Sequence, residues 1–391
     1  MKFPRVISTR LLLCLGFSVA LLMVLLTTVN PAVAAAPLPA PPQLAAKSYL
    51  LFDYASGRVL ASKEPDMRIE PASLTKLMTA YVVSEELKRG SVTLDEPVIV
   101  SAAAQAMPGS RMFIEAGTLV PLGDLLRGLI IQSGNDASVA LAEHIAASEA
   151  GFVDMMNRTA EGLGMSATHF ANASGLPDPE HYTTASDLAL IASAIIREHP
   201  ETYELYSERE FTYNEITQKN RNTLLWRDDS VDGMKTGHTE AAGYCLVASA
   251  VRDDMRLITV VLGTSSDKAR VTESQRLLNY GYRFFKTRKV YSAGEQLTQA
   301  RIWMGTQETI GLGVAEDLYL TLPRDAFDNL ETRLEVTEYL RAPMRIGQDV
   351  GRSVLMVNED IVSEVPLLAL QKVEEGGIFL RMKHSIQRYF Q

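Results

Sequence analysis

Strand-like sequence at both ends of a long helix-patterned stretch limits the fold more than any other feature of this chain. Near the start, Tyr49-Leu50-Leu51-Phe52, a turn at Ala55-Ser56-Gly57 and then Val59-Leu60 read as a β-hairpin over 48–60. Much later, runs over 244–251 and 256–263 are joined by Asp253-Asp254 as a tight turn. Between them, apolar residues recur at helical spacing over 73–87, 121–133, 135–147, 154–163 and 186–197. Ser133-Gly134 separates the second of these from the third, and a helix over 273–285 closes the unit. The expected class is α+β, an antiparallel sheet drawn from the two ends with helices between.

Beyond about Thr287 the texture changes to short β-rich runs over 300–304, 318–322, 333–339 and 353–357, parted by Gly, Pro or acidic turns. That spacing predicts a small all-β domain over 287–375. Glu374-Glu375-Gly376-Gly377 then introduces a last stretch over 376–391. At the other end, residues 1–34 run from basic (Lys2, Arg5, Arg10) to apolar (11–29) and finish on Ala32-Val33-Ala34, the pattern of a cleaved export signal. An uncleaved anchor is the competing reading, because the apolar run is just long enough to span. Pro37, Pro39, Pro41 and Pro42 make residues 35–46 a stiff leader to the catalytic region, 47–286.

Composition narrows the chemistry. The 391 residues carry a net charge of −9, and loss of the basic signal makes the body more acidic still. Nucleic acid is therefore not expected as a partner, since binding it relies on neutralising phosphates. Of two cysteines, Cys14 lies in the export segment, which leaves Cys245 alone and no intrachain disulfide. The six histidines show no paired-ligand spacing, and Gly311-Leu312-Gly313 lacks the rest of a phosphate-cradling loop. No metal and no cofactor are expected, which leaves covalent catalysis by side chains.

Three short motifs carry that chemistry. Ser73-Leu74-Thr75-Lys76 follows Pro71-Ala72 and opens an apolar helix, so Lys76 falls one turn from Ser73 on the same face. Free N–H groups at a helix start favour a developing oxyanion, although Ser73 alone would read as a helix cap. Ser265-Ser266-Asp267-Lys268 repeats the spacing in a polar stretch at a strand end and is read as a decoy. Ser133-Gly134-Asn135 is the one Ser-x-Asn in the chain, a sharp loop that can aim a hydroxyl and an amide into one cleft, or simply a turn with a capping Asn. Lys235-Thr236-Gly237 sits before a β-run, where an edge strand can pair with an extended peptide and Gly237 permits close approach; a turn into a strand is its plain alternative.

Order and rough spacing of the three motifs resemble the serine acyl-transfer enzymes that react with penicillin. Within that superfamily, Glu70-Pro71-Ala72-Ser73-Leu74-Thr75-Lys76-Leu77-Met78-Thr79, Gln132-Ser133-Gly134-Asn135-Asp136-Ala137 and Val231-Asp232-Gly233-Met234-Lys235-Thr236-Gly237-His238-Thr239 are similar to the low-molecular-mass penicillin-binding proteins, the serine-type D-alanyl-D-alanine carboxypeptidases. The resemblance implies a β-lactamase/transpeptidase-like catalytic domain followed by the all-β domain. It implies Ser73 as nucleophile, Lys76 as its base, Ser133 as proton relay and Asn135 as a ligand for the substrate amide. Lys235 and Thr236 would then hold the terminal carboxylate, and the N–H groups of Ser73 and His238 the oxyanion. For Lys76 to act near neutral pH its pKa must fall roughly three units, and burial, the helix end and Lys235 are expected to push it down.

The implied substrate is a peptidoglycan stem peptide ending in D-Ala-D-Ala, with β-lactams as covalent inhibitors. A β-lactamase is the rival within the class, but 173–182 lacks the Glu-x-x-Leu-Asn setting that supplies a deacylating base. A wall-binding or shape-determining scaffold is the rival outside it. Wound as a helix, 378–391 gathers Ile378, Tyr389, Met382, Ile386, Phe379 and Phe390 on one side and Lys383, His384, Arg381 and Arg388 on the rest, with Leu380 the apolar exception. Fourteen residues span about 21 Å, too short to cross a bilayer, so the tail is expected to lie in a membrane surface; docking on the β domain is the alternative.

Overall fold

Strands buried on both faces bring the two distant hairpins together in one antiparallel sheet. The computed structural model describes residues 38–389; the export-like segment, residues 35–37 of the leader, and Phe390 of the tail's expected apolar side lie outside them. The strand order is Val59–Lys63, Ser48–Asp53, Met255–Thr264, Gly243–Arg252, Val231–Thr239. Leu50, Phe52, Val247, Ile258 and Val260 face a large core shared with the helices Lys76–Arg89, Asn135–Ala146 and Ala185–Glu198. Tyr49, Leu51, Leu246, Leu257 and Val261 face the opposite side, which the helix Asp267–Phe284 covers. The period of two along each strand thus serves two apolar layers. Asp253 and Asp254 both adopt positive φ (48° and 63°) in the tight turn between the last two strands.

Three boundaries differ from the sequence reading. Lys235-Thr236-Gly237 lies within the edge strand rather than ahead of it. The stretch 121–133 is a short helix, Leu122–Arg127, continued by a π-helical turn, Gly128–Gln132, which closes on Ser133 in the left-handed conformation. The closing helix starts at Asp267, because Ser266 Oγ accepts the Ala269 N–H and caps it. The decoy serine and lysine therefore also open a helix. What separates Ser265 and Lys268 from Ser73 and Lys76 is that both are exposed.

The all-β region forms a six-stranded sheet built on Ile302, Ile310, Leu312 and Leu367, with a two-stranded ribbon, Phe285–Tyr291 and Leu318–Pro323, beside it. Thr287 Oγ1 donates to Asp53 (2.7 Å), Arg58 to the Thr321 carbonyl (2.5 Å) and Arg324 to the Tyr282 carbonyl (2.6 Å), joining it by polar contacts to the first sheet and to the helix that covers it. The final helix, Ile378–Tyr389, docks on this region by the side expected to be polar. His384 is buried, accepts the Met304 N–H at Nδ1 (2.9 Å) and stands edge-on to Trp303, while Leu380 packs on Gly376. Ile378, Phe379, Met382 and Ile386 remain exposed, Phe379 at 89%. Among the described residues no helix is long and apolar enough to cross a membrane.

Candidate active site

The eight residues singled out by the motifs meet at one cleft of about 570 Å³. Ser73, Ser133, Asn135, Thr236, Gly237 and His238 line it, with Lys76 and Lys235 buried behind them. Ser73 sits in a 3₁₀ turn, Ala72–Thr75, that runs straight into the helix Lys76–Arg89. Ala72, just before it, holds φ 49°, and Ser133 holds φ 67°. Left-handed conformations at two non-glycine residues flanking the cleft are strained features of a kind that gathers at functional sites.

Lys76 has no solvent exposure, and its Nζ meets three oxygens: Asn135 Oδ1 (2.7 Å), the Ser174 carbonyl (2.5 Å) and Ser73 Oγ (3.2 Å). Charged, the amine donates to all three. Neutral, it keeps two N–H donors for the two oxygens that can only accept, and its lone pair falls to the one partner with a proton to give, the Ser73 hydroxyl. Burial pushes its pKa down to about 7 against the opposing pull of Asp136. The push expected from Lys235 shows on the other partner. Lys235 is 1% exposed and lies well below the ordinary lysine range, through burial first and then the charges of Lys76, Arg270 and Arg221. Its Nζ donates to Ser133 Oγ (2.8 Å) and the Thr236 carbonyl (3.2 Å).

Asn135 is committed on both sides: Oδ1 accepts from Lys76 and Nδ2 donates to the Pro108 carbonyl (2.6 Å). Its neighbour Asp136 takes the N–H groups of Met112 (3.0 Å), Phe113 (2.9 Å) and Ile114 (3.4 Å), which holds the loop bearing Gly109 and Ser110 over the cleft. His238 stacks on Tyr244 with ring centres 4.0 Å apart.

Five residues of the site escaped the motif reading. Arg270 reaches the Gly237 carbonyl (3.1 Å) and lines the cleft with Arg221, so two guanidinium groups add to Lys235. Ser174 and Asp136 act through a backbone carbonyl and a carboxylate anchor, and His181 lies beneath the cleft. Among described residues lining the cleft the acid is Asp267, paired with Arg270.

The segment after residue 172 is pressed onto the nucleophile turn. Asn172 Oδ1 accepts the N–H groups of Ser174, Gly175 and Leu176, and Thr79 Oγ1 donates to the Ala173 carbonyl (2.7 Å). Gly175 has φ 84°, and a Cβ there would lie 1.8 Å from the Ala72 carbonyl oxygen.

The chain matches the D-alanyl-D-alanine carboxypeptidase family over residues 35–266, and the C-terminal domain of penicillin-binding protein 5 over 285–375. It is 43% identical to the D-alanyl-D-alanine carboxypeptidase DacC of Escherichia coli, over 89% of each chain. Penicillin-binding protein 5 from Haemophilus influenzae superposes with a TM-score of 0.84 at 42% identity, covering 86% of this chain and all of that one. The ampicillin-bound penicillin-binding protein D2 of Listeria monocytogenes matches 62% of this chain and all of its own, with a TM-score of 0.57 at 30% identity.

Gly175→Ala is expected to lower stability by more than about 2 kcal/mol, since the new methyl must displace backbone. Gly57→Ala, at φ 69° with nothing within 4 Å, is expected to cost only about 1 kcal/mol. Urea unfolding of the two variants measures the difference.

Proposed function

Because the chain belongs to the D-alanyl-D-alanine carboxypeptidase family, we propose that its cleft removes the terminal D-alanine of peptidoglycan stem peptides through an ester on Ser73. It is a serine-type carboxypeptidase and a penicillin-binding protein. The observation that carries the residue roles is the position of Lys76, about half of it neutral at pH 7 and, when neutral, with its lone pair left for Ser73 Oγ.

Neutral Lys76 takes the Ser73 proton as Oγ attacks the carbonyl of the penultimate D-alanine. The oxyanion forms against the N–H groups of Ser73 and His238. Collapse breaks the peptide bond, Ser133 gives its proton to the departing amine, and Lys235 replaces that proton through the 2.8 Å contact. Lys235, Thr236 and Arg270 hold the substrate's terminal carboxylate, whose charge also favours a protonated Lys235. D-Alanine leaves and solvent enters the cleft; Lys76 gives up the proton it took from Ser73 and Lys235 regains one. Neutral Lys76 then deprotonates the water that attacks the ester, the proton returning to Ser73 Oγ as the ester bond breaks. A β-lactam follows the first half of this path, but its opened ring keeps the leaving nitrogen tethered and in the way. Among the described residues the acid lining the cleft, Asp267, is paired with Arg270 and so is not free to activate a deacylating water, which supports the peptidase reading.

The composition of residues 1–34 supports export, and the exposed stripe of the last helix supports a peripheral place on the outer face of the cytoplasmic membrane. Leu380, out of place on a purely lipid-facing helix, contacts protein instead. The division into 47–286, 287–375 and 376–391 belongs to the same reading.

Ser73→Ala is expected to form no penicillin adduct by intact-protein mass spectrometry, while Ser265→Ala keeps the full adduct; an adduct on Ser73→Ala overturns the assignment. For the tail, Phe379→Glu with Met382→Glu is expected to release the enzyme from washed membranes with D-alanine release intact. Sedimentation of that variant with the membranes overturns the anchor.

A further inference from the structure

His181 lies outside the cleft, is 2% exposed, and has no place in the chemistry described above. Its ring nevertheless touches three parts of the site's foundation. Nδ1 accepts the Ala171 N–H (3.4 Å), so the proton resides on Nε2, which donates to Thr75 Oγ1 (2.8 Å). The ring also stands edge-on to Phe170 at 5.7 Å. Thr75 is the last residue of the nucleophile turn, directly before Lys76. Ala171 opens the segment that carries the Ser174 carbonyl to Lys76 Nζ.

We propose that His181 is a positioning residue for the reaction: through Thr75 and Ala171 it pins the 171–181 segment to the Ser73–Lys76 turn and keeps the Ser174 carbonyl, rather than water, against Lys76. The role rests on Lys76 acting as the base. Two of the amine's three polar positions must be filled by acceptor-only oxygens for the lone pair to face Ser73, and Ser174 supplies one of them. Without the pin, water reaches the amine, relieves its desolvation and raises its pKa.

The imidazole suits the task because it stays neutral. Burial holds its pKa down to about 4, against the pull of Asp178 and with the help of His169 and Lys76. A cation there would lose the Ala171 N–H bond and repel Lys76. The other charged groups acting on Lys76 are Asp136 and, reciprocally, Lys235, which lie on different elements and are not hydrogen-bonded to His181.

The test is the pH profile of kcat/KM for D-alanine release from a D-Ala-D-Ala peptide, in the full chain. In wild type the acid limb is expected near pH 7. In His181→Phe it moves up by about one pH unit and the rate at pH 7 falls about fivefold, with KM little changed because the ring does not line the cleft. Thr75→Val reproduces the shift, and the double variant adds little to either. His181→Gln restores the wild-type limb, because its amide can still donate to Thr75. A limb that stays in place in both His181→Phe and Thr75→Val overturns the role of His181 alone, as does a uniform loss of rate at all pH that His181→Gln shares. A flat profile in wild type overturns the base reading of Lys76 and this role with it.

Discussion

A lysine ammonium taken wholly out of water is the constraint around which the catalytic region is arranged. Moving Lys76 from its ordinary pKa to about 7 corresponds to about 5 kcal/mol of preference for the neutral amine. The preference comes from burial, so it exists only while the surrounding elements exclude water. They come from separate stretches of chain: the nucleophile turn, the loop at Asn135, the segment at Ser174 and, one layer out, the edge strand carrying Lys235. The five-stranded sheet and its two apolar layers hold these stretches at fixed distances. Positive φ at Ala72 and Ser133 is the local strain accepted to bring the two hydroxyls inward.

The sequence resolved the parts of this arrangement that are periodic or that depend on side-chain identity. Helical spacing exposed the helix bearing Lys76, and apolar runs joined by turn residues exposed the paired hairpins. Ser73, Lys76, Ser133, Asn135, Lys235, Thr236, Gly237 and His238 all reach the one cleft. What stayed hidden acts through backbone or at long range. Ser174 contributes a carbonyl that any residue possesses, and Asp136 grips N–H groups more than twenty positions earlier. Arg270 follows the decoy motif, near the start of a helix whose polar opening the sequence reading left outside it. The decoy itself shows that a helix start alone does not mark a nucleophile; burial of the lysine does.

The tail illustrates the same limit. A helical wheel separates apolar from polar residues but cannot say that one polar residue, His384, seats against Met304 and Trp303. Docking by that side and exposure of the other are compatible, because the two faces lie on opposite sides of one short helix. The β region thus fixes the direction in which the exposed stripe points, while polar contacts at Asp53, Arg58 and Arg324 tie that region to the catalytic sheet and the helix covering it.

Direct titration of Lys76 tests the central claim most plainly. With lysine side chains carbon-13 labelled at Cε, and Lys76→Arg used to assign the resonance, the signal followed from pH 5 to 10 should move with a midpoint near 7. The sign follows from burial, which disfavours the cation, so the amine should be mostly protonated below that midpoint and mostly neutral above it. A midpoint at the ordinary lysine value of about 10.4 would leave the amine charged at working pH and contradict the account.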